Sequence, residues 1–201
     1  MIKLYGIRMS RAMRSLWALE EVGVPYEHVP IDFMTESKTP EFRAINPNGK
    51  VPALVDGDVT LFESMAINLY LAKKYGADGL YPSSVDDEAR AIQWSFWGMT
   101  EIEPTLLVVL MNRIFLPPNQ RDESAARAAE EKLGPALRVL DAALAGKKCL
   151  LGDSFTIADL NVASVLCWAL FANVALAKTP NVDRWLLDCA TRPAFVKAQQ
   201  G

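Results

Sequence analysis

The chain has 201 residues, 51% of them hydrophobic and 22% charged, with a formal net charge of −3 at pH 7. It is long enough to bury a core in one domain or in two small ones. No basic run that could bind phosphates occurs, which argues against a nucleic-acid partner. The longest nearly continuous apolar stretch, residues 162–177, contains Ser164 and Asn173 and is shorter than a bilayer span, so we expect a buried core helix and no membrane segment.

The first half of the chain predicts a mixed α/β unit. Its apolar residues follow strand and helix periods in the order strand, helix, strand, strand, strand, helix, over residues 2–6, 11–22, 26–31, 53–56, 59–62 and 64–75. A strand–helix–strand opening favours a parallel pair. Gly57-Asp58 between the two short strands predicts a hairpin with a two-residue turn. Residues 35–45 predict a loop with one irregular helical turn.

The loop over residues 46–54, Asn-Pro-Asn-Gly-Lys-Val-Pro-Ala-Leu, places a proline at the start of a strand. Pro52 has no N–H and would weaken the interior of a paired strand, but it is tolerated at the first position. Because a cis peptide is accessible mainly before proline, Val51–Pro52 is a candidate cis bond. Such a turn leaves the N–H and C=O of Val51 facing outward, where they can pair with an extended, peptide-like ligand.

The second half predicts helices only. After a Gly-, Asp-, Pro- and Ser-rich linker, helical patterns cover residues 86–115, 122–144, 156–172 and 181–190. Pro104 is a possible kink in the first of these helices. Thr156 and Asp159 have the spacing of a capping box, in which each side chain bonds a backbone N–H at the helix start. We interpret this pair as a folding device, with a catalytic carboxylate as the minority reading.

Cysteine and histidine are scarce. Cys149, Cys167 and Cys189 include no CxxC pair, and we interpret them as buried thiols in a reducing, cytoplasmic compartment. The N-terminus enters a strand pattern without an apolar signal region, so export is not expected. His28 is the single histidine, which leaves too few ligands for a zinc site or a serine–histidine triad, and no metal is expected. We expect His28 to be a surface or hydrogen-bonded residue of the second strand.

Three features point to one ligand. Ser10 lies at the N-terminal edge of the first helix, where free N–H groups and the helix dipole favour a thiolate or an oxyanion. Val51 offers paired main-chain groups. At the start of the third helix, the Ser64 hydroxyl and N–H can hold a carboxylate, and Glu63 can reach an ammonium. Together these groups describe a site for an amino-acid-like end joined to a thiol by an extended peptide.

In this order and spacing the motifs resemble the cytosolic glutathione S-transferases of bacterial type, over essentially the whole chain. The motifs are Tyr5-Gly6 before Ser10-Arg11, the loop 46–54, Glu63-Ser64 leading into a helix, and the Thr156–Asp159 capping box. The resemblance implies a fold of class α/β plus all-α. It places a thioredoxin-like glutathione-binding domain at 1–77, a linker at 78–85 and an all-helical domain at 86–201. The helical domain would provide the electrophile pocket and the contacts of a homodimer.

The resemblance also implies roles for individual residues. Val51, preceding Pro52, would pair with the cysteinyl backbone of glutathione, and Lys50 would approach its glycine carboxylate. Glu63 and Ser64 would hold the γ-glutamyl end. Ser10 would hydrogen-bond the sulfur and favour the nucleophilic thiolate.

Some alternatives stay open. Tyr5 competes with Ser10 as the group that activates the thiol, because other branches of the family use a tyrosine near the end of the first strand. No cysteine lies in the N-terminal half, which counts against the branches that form mixed disulfides. Glu101 or Glu103 could reach the ligand of the neighbouring subunit.

The function implied is detoxifying conjugation of glutathione to small hydrophobic electrophiles. One alternative is a glutathione-dependent isomerase or dehalogenase, which shares every glutathione residue. Another is a non-catalytic protein of the same fold that binds glutathione or hydrophobic ligands. The presence of the whole set of glutathione residues favours the enzyme.

Overall fold

A computed structural model describes residues 1–77, 79–176 and 178–200. Contacts divide the chain into two compact units. The first comprises residues 1–81 and the segment from residue 192 onward, and the second comprises residues 82–191. Of the predicted features, Asp78 in the linker, Ala177 at the end of the apolar stretch and Gly201 lie outside the described residues.

A four-stranded sheet forms the centre of the first unit. Its strands are β1 (Ile2–Tyr5), β2 (Tyr26–Val29), β3 (Ala53–Asp56) and β4 (Val59–Phe62). They lie in the order β2-β1-β3-β4, with β1 parallel to β2 and the other two pairs antiparallel. Leu4 pairs with His28 on one side and with Leu54 on the other. The predicted parallel pair and the predicted hairpin are both confirmed.

Helices cover both faces of this sheet. They are α1 (Ala12–Val22), α2 (Pro40–Ile45) and α3 (Ser64–Tyr75). α1 and α3 pack against each other and against the strands, around the fully buried Leu4, Leu16 and Leu71. Tyr5 follows Leu4 and therefore points to the other face, where its ring meets that of Phe42 in α2. The segment predicted as mostly loop is more helical than expected, because a 3-10 turn at Glu36–Lys38 precedes α2.

The C-terminal helix α9 (Pro193–Gln200) belongs to the first unit, although the sequence placed residues 193–200 in the C-terminal domain. The physical reason is its docking on α1. The Phe195 ring lies 4.7 Å from that of Trp17. The Arg192 guanidinium, just before α9, makes two bonds of 2.6 and 2.8 Å to the Glu21 carboxylate. Arg8 Nε donates to Ala198 O over 3.0 Å.

The second unit is helical. Its helices are α4 (Val85–Trp97), α5 (Glu103–Leu110), α6 (Glu123–Ala143), α7 (Ile157–Phe171) and α8 (Pro180–Ala190). The helix predicted over 86–115 is interrupted by π-helical turns at Gly98–Ile102 and Met111–Phe115. Pro104 lies in the first turn of α5, where its missing N–H removes no helix bond. α7 lies at the centre, in contact with α4, α5 and α8, as expected of a buried core helix.

The predicted capping box at the start of α7 is confirmed. The Asp159 side chain is fully buried and accepts four bonds: from Leu150 N (2.8 Å), from Thr156 N and Oγ1 (2.9 and 3.0 Å) and from Trp185 Nε1 (2.9 Å). Burial raises the pKa of the Asp159 carboxyl, and these hydrogen bonds act in the opposite direction. The acceptor capacity of the carboxylate is therefore used by the fold itself.

Of the three cysteines, Cys167 and Cys189 are buried, and Cys149 is half-buried. Burial raises the pKa of the Cys167 thiol to about 12, so this group stays protonated and unreactive at neutral pH. Within residues 1–77, 79–176 and 178–200, no helix is both long and apolar enough to cross a membrane. The same residues contain no cluster of three His, Cys, Asp or Glu side chains that could hold a metal ion.

Candidate functional site

Ser10 lies in the turn between β1 and α1, two residues before the helix begins. Its side chain is half-buried. Its hydroxyl donates to Ile7 O (2.6 Å) and accepts from Ala12 N (3.1 Å). A serine hydroxyl has a single proton, so donation to a ligand sulfur requires it to leave Ile7 O. The position of the Ser10 hydroxyl beside the N-terminus of α1, where the helix dipole is positive, suits a negatively charged partner.

Gly6 lies at the point where this turn packs closely against the Val51 loop. Its φ of +130° lies in a region that L side chains rarely adopt. A Cβ at Gly6 would lie 2.8 Å from Ala12 Cβ and 2.9 Å from Val51 Cβ. The start of α1 and the loop carrying Val51 are thus brought together across a gap that only glycine fits. The helix start that follows Ser10 and the Val51 loop therefore lie next to each other at Gly6, just beyond the end of β1.

The Val51–Pro52 bond is cis, as predicted. The turn before it is held by Asn46, whose buried side chain donates to Lys50 O (2.6 Å) and accepts from Asn48 N (3.1 Å). Pro52 is buried, Val51 is half-buried and Lys50 is exposed. The main chain of Val51 therefore lies between the buried Pro52 and the exposed Lys50.

Two residues that the sequence analysis did not single out also hold this loop. Ser37 Oγ lies within hydrogen-bond distance of both Gly49 O (3.0 Å) and Phe33 O (2.9 Å), and Lys38 Nζ donates to Gly49 O. Their segment is separated from Gly49 by more than ten residues, so no local pattern indicated the contact. The role of Asn46 was open to prediction, because asparagine commonly bonds the N–H two residues on in a turn.

Glu63 and Ser64 form the start of α3. Glu63 is exposed and has φ 71° and ψ 113°. A non-glycine residue in such a conformation costs on the order of 1–3 kcal/mol, and strain of this kind clusters at functional sites. Ser64 is only 3% exposed and occupies the first helical position, where backbone N–H groups lack helix partners. The strained residue and the helix terminus together suit a ligand that carries both an ammonium and a carboxylate.

The remaining candidates differ in their surroundings. Tyr5 is half-buried and packs edge-on against Phe42, with ring centroids 6.2 Å apart. Glu101 is exposed in the first π-helical turn, whereas Glu103 is 4% exposed within the helical unit. Of these two acids, Glu101 is the one whose side chain is open to solvent.

His28 is hydrogen-bonded, as expected. Its Nε2 lies 2.7 Å from Gly6 O. Because a carbonyl oxygen can only accept, Nε2 carries the proton.

The element order β1-α1-β2-α2-β3-β4-α3, with a cis-proline loop before β3, defines a thioredoxin-like unit, and an all-helical unit follows it. This is the fold that the sequence motifs predicted. The model of the glutathione S-transferase N-terminal domain matches residues 1–73, and that of the C-terminal domain matches residues 100–193. The chain belongs to the glutathione S-transferase family and is a glutathione transferase.

Known relatives cover the chain along its length. It is 36% identical to glutathione S-transferase F13 of Arabidopsis thaliana, over 100% of this chain and 95% of that protein. It is 36% identical to the glutathione S-transferase GstB of Escherichia coli K12, over 98% of this chain and 97% of that protein. Among solved structures, the theta class glutathione S-transferase of Xanthomonas axonopodis pv. citri, with glutathione bound, superposes with a TM-score of 0.90. The two sequences are 32% identical, and the match covers 100% of this chain and 97% of that chain.

Proposed function

We propose that the chain conjugates the thiolate of glutathione to small hydrophobic electrophiles. The observation that carries the proposal is the close approach at Gly6, where a Cβ would meet Ala12 and Val51 at under 3.0 Å. Across this gap the main-chain clamp of the Val51 loop adjoins the helix start beside Ser10. An extended peptide bound to the Val51 loop therefore directs its thiol toward the helix start beside Ser10.

The charges of the site match those of glutathione, which carries two carboxylates and one ammonium at neutral pH. The Ser64 hydroxyl and N–H bind the γ-glutamyl carboxylate, and Glu63 pairs with the ammonium. The Val51 main chain, positioned by Pro52, pairs with the cysteinyl residue. Lys50 approaches the glycine carboxylate.

Ser10 favours the thiolate of the bound glutathione. A charge-assisted hydrogen bond contributes about 1.5–3 kcal/mol and a helix N-terminus about 0.3–1 kcal/mol, while giving up the bond to Ile7 O costs about 1 kcal/mol. Because each pH unit corresponds to about 1.4 kcal/mol, the net effect lowers the thiol pKa from about 8.5 to about 7. The thiolate then attacks the electrophilic carbon, a sulfur–carbon bond forms, and the leaving group departs with its electron pair while Ser10 keeps its proton.

The first test is binding. We expect retention on immobilised glutathione to be lost in Glu63→Ala, because the ammonium partner is removed, with the fold intact by circular dichroism. Glu41→Ala is the matched control, since Glu41 is an exposed acid on α2. Equal retention of both variants would contradict the binding role of Glu63.

The second test compares the two candidate hydroxyls. In Ser10→Ala the thiol pKa should rise to about 8, because the hydrogen bond is lost while the helix N-terminus remains, and the smaller thiolate fraction lowers kcat/KM with an aryl halide roughly fivefold at pH 7. Tyr5→Phe should leave the thiol pKa in place. The reverse pattern would move the role to Tyr5. Including isomerisable and haloalkane substrates in the panel distinguishes conjugation from isomerisation and dehalogenation.

We further propose that the protein is a cytoplasmic homodimer. The edge strand β4 exposes Val59 and Phe62, and exposed apolar residues on an edge strand favour a covering partner. Three widely spaced cysteines without a CxxC pair suit a reducing compartment. Measuring the masses of the wild type and of Phe62→Asp by sedimentation tests the assembly. Identical masses for the two proteins would contradict β4 as the dimer contact.

A further inference from the structure

His28 lies in the edge strand β2, where it pairs with Leu4 of β1. Its side chain is half-buried and reaches beyond the end of β1 to Gly6, with 2.7 Å between Nε2 and Gly6 O. Nothing in the conjugation chemistry uses this imidazole. The contact nevertheless falls on the residue that separates the two parts of the proposed glutathione site.

The two peptide units on either side of Gly6 are held by β2 and by the residues that follow it. Gly6 N donates to Val29 O (2.9 Å), and Ile7 N donates to Ile31 O (3.2 Å). These backbone bonds leave the Gly6 carbonyl to the His28 side chain. Because the peptide unit is planar, fixing Gly6 O also fixes the direction in which Ile7 continues.

Ile7 in turn positions Ser10, because Ile7 O accepts from Ser10 N (3.2 Å), a backbone bond that remains when the Ser10 hydroxyl turns to a ligand. A hydrogen-bonded path therefore runs from His28 through Gly6 and Ile7 to the main chain of Ser10. Glycine is the residue with the widest choice of backbone conformations, so Gly6 is the point of this path that most needs an external restraint.

We propose that His28 is a positioning residue for the thiol site. By holding the Gly6 carbonyl, it sets the separation between the Val51 loop and the turn that presents Ser10. The inference rests on the proposed function. It adds a residue outside the ligand contacts, acting through Gly6.

The test compares two substitutions of His28. His28→Leu removes the donor, and His28→Gln keeps an N–H of similar reach. The readouts are the pKa of the bound glutathione thiol, followed by the ultraviolet absorption of the thiolate, and kcat/KM with an aryl halide. We expect His28→Leu to raise the thiol pKa by about 0.5 and to lower kcat/KM about twofold at pH 7, because a misplaced group loses part of its effect on the thiol. His28→Gln should restore most of both values.

Tyr26→Phe is the matched control, because it removes a side-chain bond from the same strand, Tyr26 Oη to Glu20 Oε1 (2.7 Å), without touching Gly6. It should leave the thiol pKa at the wild-type value. If His28→Leu leaves the thiol pKa at that value too, and only lowers the melting temperature as Tyr26→Phe does, the positioning role is overturned.

Further outcomes are distinguishable. If the wild type does not bind glutathione, the proposed function fails before His28 is tested. If Ser10→Ala leaves the thiol pKa unchanged, the role of Ser10 fails, and with it the path from His28. If His28→Leu does not fold, His28→Asn takes its place, since its shorter amide stops short of the Gly6 carbonyl. A wild-type thiol pKa in a folded His28→Asn overturns the inference in the same way.

Discussion

Asp159 in the helical unit and Glu63 in the α/β unit are both acids at the start of a helix, but their surroundings are opposite. Asp159 is fully buried and accepts four hydrogen bonds from its own chain. Glu63 is exposed, has a positive φ, and makes no capping bond to α3. The first carboxylate is committed to the fold, whereas the second is held in a strained conformation with its charge available to a ligand. An acid at a helix terminus thus indicates function only where the helix does not use it.

The largest expected effect comes from breaking the buried acid. Asp159→Ala leaves donors of Leu150, Thr156 and Trp185 without their acceptor, so the free energy of unfolding should fall by about 3–5 kcal/mol, as measured by urea denaturation. Asp153→Ala, an exposed acid near the same helix, should change it by less than about 0.5 kcal/mol. A loss under about 1 kcal/mol for Asp159→Ala would contradict the contrast with Glu63.

The next largest effect tests the gap at Gly6. Gly6→Ala combines a disfavoured φ of +130° with two contacts under 3.0 Å, so it should cost about 2–4 kcal/mol and abolish retention on glutathione. Gly57→Ala is the control, because Gly57 also has a positive φ but nothing within 4 Å of an added Cβ. It should cost about 1 kcal/mol and keep retention. Equal behaviour of the two variants would show that conformation alone, without the close approach, limits Gly6.

A third prediction concerns Asp56, a mostly buried acid in the α/β unit. Partial burial raises the pKa of its carboxyl, but donors from Lys74, Tyr75 and Tyr70 outweigh this effect and lower the pKa from 3.8 to about 2. A lowered folded pKa gives stability that is present above the unfolded value and is lost as pH falls through the folded one. Since the Lys74 side chain is 44% exposed, we expect a contribution of only about 1–2 kcal/mol.

Urea unfolding from pH 7 to pH 2 measures this contribution. At pH 7 the free energy of unfolding of the wild type should exceed that of Asp56→Asn by about 1–2 kcal/mol. This difference should shrink between about pH 4 and pH 2. Asp58→Asn, an exposed residue of the same turn, should show no such narrowing. A difference that is constant over this pH range would contradict the charge-based account.

The smallest effect is expected at an exposed cap. Ser84 Oγ accepts from Asp87 N (3.1 Å) at the start of α4, in the same unit as Asp159 but exposed to solvent. Ser84→Ala should cost about 0.5–1 kcal/mol, since water can replace the lost acceptor. Thermal or urea unfolding measures it. A cost equal to that of Asp159→Ala would mean that burial does not decide the value of a helix cap.

Much of the fold was predictable because its signals are local. The capping box needs only Thr156 and Asp159, three residues apart, and the hairpin needs only Gly57-Asp58 between two short strands. The cis bond at Val51–Pro52 follows from the lower cost of cis peptides before proline. The π-helical turns were not predicted, because such turns are rare and the apolar positions of the long helix carried no distinct signal for them.

The contacts that were missed join distant segments. α9 was not predicted as a helix of the first unit, because the partners of Phe195 and Arg192 lie on α1, more than 170 residues earlier. The bond from His28 to Gly6 depends on the register of two strands, which periodicity does not reveal.

The sequence by itself determined the elements, the cis-proline loop and the identity of the candidate groups, because helix capping, turn formation and strand alternation depend on residues within a few positions of one another. Only the tertiary structure decided how those groups meet. The gap between Ala12 and Val51, the strain at Glu63 and the restraint of His28 on Gly6 arise from strand register and packing. These are properties of segments that become neighbours only when the chain is folded.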